Sequence, residues 1–157
     1  MTTIHVQTRD LDRETADALL RKHHVACIAL AFHDRVTIAL VNYVYVDGSI
    51  FGRMEDGPDL TTLRHHPWVA LEVSEIDGLY DWRSVAVRGS LELLSDTGAT
   101  KDSAELHAAV ERLRAVVPAV FTPRDPMPRR VHVFRLYVDE VVGRRSDSDA
   151  RRELPPA

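Results

Sequence analysis

Residues 35 to 54, RVTIALVNYVYVDGSIFGRM, constrain this chain more than any other stretch. Val36, Ile38, Leu40, Val44 and Val46 recur at every second position, with Thr37, Ala39, Val41, Tyr43 and Tyr45 between them. A period of two puts successive side chains on opposite faces of a strand. Asp47-Gly48 then supplies the pair that best tolerates the positive dihedrals of a two-residue hairpin turn. The pattern predicts a hairpin of Arg35 to Val46 with Ser49 to Met54. A hairpin that long leaves two hydrogen-bonding edges, which the rest of the chain has to cover.

The flanking segments provide the means. Val25 to Phe32 (VACIALAF) reads as an apolar strand closed by a His33-Asp34 turn, and Trp68 to Ser74 (WVALEVS) as another. Trp82 to Leu94 is the longest strand, with Val85, Val87, Gly89, Leu91 and Leu93 on one face and Ser84, Ala86, Arg88, Ser90 and Glu92 on the other. Val131 to Val138 is the last. Three helices are predicted. Glu14 to His23 follows the N-cap Asp12, Pro58 opens one that runs to about His65, and Asp102 to Val117 carries the stripe Leu106, Val110, Leu113 and Val117. Pro118, Pro123, Pro126 and Pro128 make residues 118–130 an irregular connector, and 75–81 reads as a polar loop. Six strands with few, peripheral helices predict a mainly β fold, a small antiparallel barrel whose closure removes the exposed edges. The domain is expected over 1–143, with 144–157 (RRSDSDARRELPPA) as a mobile tail.

Composition narrows the function classes. With Lys plus Arg at 20 and Asp plus Glu at 24, the formal charge is −4, opposite to the basic field of a general nucleic-acid surface. A lone cysteine, Cys27, excludes an internal disulfide and a multi-cysteine metal site, and its apolar run predicts a small buried hydrophobe. The first residues lack the pattern of a signal peptide, and no apolar run approaches a membrane span of about 18 residues, so a cytoplasmic protein is expected.

Few residues suggest chemistry. No GxSxG, Walker loop or HExxH is present. The pairs His23-His24 and His65-His66 point about 100° apart on a helix, so no metal site is expected. Glu72, Glu75, Asp77 and Asp81 read as a solvated acidic loop, and Arg88 as the partner of Glu92 on the same strand face. Asn42 interrupts an apolar face and must find a partner, either backbone or the polar edge of a ligand. Arg53 leaves the hairpin beside Glu55, Asp56 and Asp59, and either awaits an anion or is solvated.

The wording of residues 41 to 94, with VNYVYVDGSIFGR, LRHHPWVALEV and WRSVAVRG in that order, resembles the pyridoxamine 5′-phosphate oxidase-like, FMN-binding split-barrel family, near its nitroimidazole-resistance branch. HVFRLYVDEVVGRR (132 to 145) resembles the family's closing strand, and the likeness spans about residues 11 to 145. The resemblance implies a six-stranded antiparallel split β-barrel that forms a homodimer, with FMN in each of two grooves between subunits. By the same likeness Leu40, Val41, Asn42 and Tyr43 run along the isoalloxazine ring, Gly52 and Arg53 reach the phosphate, and Ser84 lies near the flavin. Pro58 opens a helix whose first N–H groups would share that phosphate. The implied activity is an FMN-dependent oxidoreductase acting on a small molecule, nitro-compound reduction included, with Trp82 and Tyr43 walling the substrate side or packing in the core or interface.

One position departs from the family pattern. Asp59 stands where members commonly carry a lysine, and an acid there repels a phosphate unless it turns away or pairs with Arg53. Arg144 and Arg145 from a partner subunit would offset that charge. Two other readings follow: a split-barrel dimer with weak or no flavin binding that acts as a binding or structural protein, and a deazaflavin-dependent reductase.

Overall fold

A computed structural model describes residues 3–95 and 100–148 of the chain. It contains β1 (Val6–Asp10), α1 (Arg13–Lys22), β2 (Val25–Phe32), β3 (Arg35–Val46), β4 (Ser49–Met54), α2 (Pro58–His65), β5 (Trp68–Gly78), β6 (Asp81–Leu94), α3 (Thr100–Val116) and β7 (His132–Ser148). All strand pairs are antiparallel, in the order β1-β7-β4-β3-β2-β5-β6, and β6 pairs β7 again. That last pairing closes β7, β4, β3, β2, β5 and β6 into a six-stranded barrel, as expected. Strand β1 adds a seventh outside the ring, where it pairs only with the far end of β7.

Local chemistry sets the elements. Asp12 caps α1 by accepting a hydrogen bond from Thr15 N at 2.7 Å. The hairpin turn is as predicted, with Asp47 at φ 50° and Gly48 at φ 74°. Inside the barrel Ala26, Ile28, Leu30, Val41, Tyr43, Leu71, Val85, Val87, Phe134 and Leu136 form one buried cluster. A second, smaller core joins α3 to the outside of the barrel through Val44, Phe51, Ala109, Leu113, Val120 and Val133.

Several expectations are corrected. The supposed tail begins too early, because Arg144 to Ser148 continue β7 and pair with Asp10 to Val6 of β1 and with β6. Alternate charged residues there face solvent, so the strand lacks the apolar period that would mark it; residues 149–157 lie outside the described residues. Strand β5 likewise runs on to Gly78 through the expected loop and pairs β6 up to Asp81. Cys27 is exposed, not buried. In β2 the inward residues are Ala26, Ile28 and Leu30, and the register sets Cys27 opposite Leu40 on the outer face. Arg88 pairs with Glu140 at 3.2 Å on the neighbouring strand, not with Glu92. Four residues along a strand span about 13 Å, too far for one ion pair, whereas a cross-strand neighbour is about 5 Å away. None of the described helices is long and apolar enough to cross a membrane.

Candidate functional site

The barrel is split along one side of β3. From Tyr43 to Val46 that strand pairs β4, but from Arg35 to Asn42 its pairing is with β2 alone. Beyond Gly52, β4 keeps its bonds to β7 and leaves β3, and the chain turns at Glu55 to Gly57 into α2. Backbone groups of β3 therefore face an open groove, with no strand among the described residues paired to them on that side. The groove holds about 270 Å³ and is lined by Ala39, Leu40, Val41, Arg53, Met54, Glu55, Asp56, Gly57, Pro58, Asp59 and Arg130.

Side chains of the expected ring-binding segment divide between two faces. Val41 and Tyr43 point into the core, and the Tyr43 hydroxyl donates to Leu20 O at 2.7 Å. Burial pushes the Tyr43 phenol well above its ordinary pKa. Tyr43 is thus packed in the core, with one edge on a neighbouring cavity; toward the groove this segment offers its backbone and Leu40. Asn42 finds protein partners: its amide donates to His24 O at 3.4 Å and its carbonyl accepts from Arg130 Nη1 at 2.6 Å. It sits where the outer face of β3 changes character. Val44 lies under α3, whereas Leu40, Ile38 and Val36 are 63–70% exposed. Val25 and Trp68 extend this bare apolar face across β2 and β5. On the covered side, His24, Asn42, Val44, Leu113, Val117 and Met127 border a second cavity of about 230 Å³ that shares Arg53 and Arg130 with the groove.

Arg53 is neither solvated nor waiting. Its side chain is 8% exposed and its guanidinium forks onto Asp125, Nη1 to Oδ2 at 2.7 Å and Nη2 to Oδ1 at 3.1 Å. Nη1 also donates to Arg130 O at 3.1 Å, and the group stacks 5.0 Å from the Phe121 ring. Asp125 accepts two further bonds, from Phe121 N and Met127 N. The Arg53 hydrogen bond, followed by these two, holds the Asp125 carboxyl well below the usual carboxylate range. The anion for Arg53 thus comes from the proline-rich connector, 72 residues away. Sequence reading missed Asp125 because the stretch TPRDPMP has no periodicity; the one available signal was that a buried arginine must have a carboxylate somewhere.

The remaining expected residues are dispersed. Gly52 lies in β4 where a Cβ would stand 2.3 Å from Phe134 Cζ and 2.8 Å from Asn42 O, so its bareness serves packing. Ser84 lies in β6 opposite Arg144 and lines another outer cavity with Trp82, Ala86, Arg88, Glu140 and Val142. Within one chain Ser84, Arg144 and Arg145 are therefore not brought to the groove. Glu75, read as part of a solvated loop, is the anchor of α1: Lys22 at 3.3 Å, His23 at 3.2 Å and Arg83 at 3.1 Å surround it, and the His23 bond foremost lowers its pKa.

The groove suits the ring of a flavin better than its phosphate. An open strand edge flanked by Leu40 and Met54 offers backbone donors and acceptors beside apolar surface, which is what a flat heterocycle with one polar edge requires. A phosphate dianion requires uncommitted cations or helix N–H groups. Arg53 is half of a neutral pair with Asp125, Pro58 has no N–H, and Asp59 stands in the first turn of α2. Arg130 is half-buried and already bonded to Asn42, with Glu55, Asp56 and Asp59 along the same wall. This end does not fit a dianion.

Comparison with known proteins agrees with the fold. The family model described as pyridoxamine 5′-phosphate oxidase matches residues 12–145. No curated protein matches the chain. Among solved structures, an FAD-binding protein from Mesorhizobium loti superposes with a TM-score of 0.70 at 21% identity, covering 91% of this chain and 99% of that one. A protein assigned to 5-nitroimidazole antibiotic resistance from Bacteroides thetaiotaomicron gives 0.68 at 16% identity, with 94% and 96% covered. The FAD-binding protein from Mycobacterium smegmatis gives 0.64 at 19% identity, with 88% and 98% covered.

Proposed function

The chain belongs to the pyridoxamine 5′-phosphate oxidase family, and from that premise we propose that it is a flavin-binding homodimer acting as an oxidoreductase on a small molecule. The observation that carries this reading is the open backbone edge of β3 at Ala39 to Val41, facing a groove of about 270 Å³. Riboflavin, FMN, FAD and deazaflavins share the ring system and so share this half of the site. Pockets for ligands of this size commonly measure about 300–1,000 Å³, so a groove below that range supplies only part of the enclosure. The bare face of Val25, Val36, Ile38, Leu40 and Trp68 beside it supports a second copy as the source of the rest.

Bound flavin supplies hydride or electron transfer. The chain's own part would be orientation: the β3 edge would hold the polar side of the ring, and Leu40 and Met54 its apolar flank. Arg130, tied to Asn42, stands at the junction of groove and second cavity, where a small acceptor has room beside the ring. Likeness to the Bacteroides thetaiotaomicron protein makes a nitroaromatic the first acceptor to try. The test is the visible spectrum of the purified protein before and after incubation with flavins, followed by anaerobic bleaching and reoxidation with a nitroaromatic. Saturable binding with turnover is expected. A protein that binds no flavin or deazaflavin supports the competing reading, a split barrel serving as a binding or structural protein.

A further inference from the structure

We infer that the groove selects a flavin whose side chain ends in a neutral polyol, riboflavin, and discriminates against one that ends in phosphate. The inference rests on the flavin reading above and adds its specificity. It starts from the buried pair. To give a phosphate its forked face and an uncompensated charge, Arg53 would have to release Asp125, whose side chain is 3% exposed and whose remaining partners are the backbone N–H groups of Phe121 and Met127. A carboxylate left at that depth without its cation is strongly disfavoured. The exchange would also unfasten the connector, since the same two oxygens order both Phe121 and Met127. Arg53 and Asp125 cancel, so Arg53 lines the groove as half of a neutral pair and brings it no net charge.

What lines the far end of the groove is then acidic. Glu55, Asp56 and Asp59 face it, with Arg130 as the one other charged group of opposite sign on its wall. His132 lies 3.6 Å from Asp56 but pairs with it as an ion only when protonated. The N-terminus of α2 contributes little to an anion, because Pro58 removes a donor and Asp59 already answers the helix dipole. Carboxylates are acceptors without donors, and the hydroxyls of a ribityl chain are donors. A neutral polyol satisfies this wall; a dianion is repelled by it. Asp59, half-buried in the first turn of α2, is the specificity-determining residue, and Asp125 is the positioning residue that cancels the Arg53 charge.

The experiment is a pair of flavin-fluorescence quenching titrations on the full chain, with riboflavin and with FMN, repeated on Asp59→Lys and Asp59→Asn. Riboflavin is expected to bind the parent about tenfold more tightly than FMN at low salt. Asp59→Lys should move that ratio by at least about tenfold toward FMN, and Asp59→Asn should move it less, with riboflavin affinity nearly constant. Circular dichroism checks that both variants fold, and Asp59→Asn alone suffices if the lysine variant does not. FMN binding the parent more tightly than riboflavin overturns the selectivity and leaves the flavin reading standing. An unchanged ratio in both variants removes Asp59 from the site. Absence of binding by either flavin overturns the flavin reading and this inference with it.

Discussion

A single arginine shows how burial decides the meaning of a charge. Arg53 leaves its hairpin among acids near in sequence, yet its partner is Asp125, in a segment that sequence alone leaves without structure. Because both side chains are buried, Asp125→Ala should destabilise the fold by about 3 kcal/mol, the lower end for a broken buried pair; urea denaturation measures it. Asp125 titrates far lower folded than unfolded, so its contribution is complete above the ordinary carboxylate pKa near 4 and fades as pH falls below it. Parent protein should therefore lose stability between about pH 4 and pH 2 more steeply than Asp125→Asn does. Gly52 carries a different constraint. Its alanine variant would press on Phe134 and on the Asn42 carbonyl, and should lose about 1–3 kcal/mol by overpacking, read from the same denaturation curves.

Among the elements, β7 holds the most of the fold together, since it pairs β4, β6 and β1 in turn. Ending the chain after Gly143 should leave β1 without a partner and lower the thermal midpoint by several degrees, roughly what 1–2 kcal/mol does to a domain of this size. Equal midpoints for the shortened and full chains would show that this pairing contributes nothing. The hairpin β3–β4, the caps and the barrel class were legible because period-two apolarity and Asp47-Gly48 are local signals. What was not legible depended on distance or context. Strand β1 and the end of β7 are mostly polar segments held by cross-strand pairing, β1 to β7 and the end of β7 to both β1 and β6, so neither carries a pattern of its own. Cys27 looked buried because every neighbour in VACIALAF is apolar, and only the barrel decides which parity faces inward. For the site, the structure lays Leu40 and Val41 along the groove, but the outward turn of Leu40 and inward turn of Tyr43 reassign what each offers.

For the whole molecule the bare face is the defining feature. Val36, Ile38 and Leu40 on β3, Val25 on β2 and Trp68 on β5 lie exposed on one outer face beside a groove that one chain only partly encloses. Proteins seldom leave an apolar patch of that kind in water. Sedimentation should give twice the chain mass, and Ile38→Asp should shift it to one chain mass while the fold survives, because Ile38 touches solvent and not the core. A parent protein that sediments as one chain would remove the second copy from the site. The central claim, that the unpaired edge of β3 receives a flavin ring, is tested most directly by following backbone amide resonances while riboflavin is added. Saturable shifts centred on Ala39, Leu40 and Val41 are predicted. No shift there, or shifts confined to the outer cavity around Trp82 and Ser84, would contradict it.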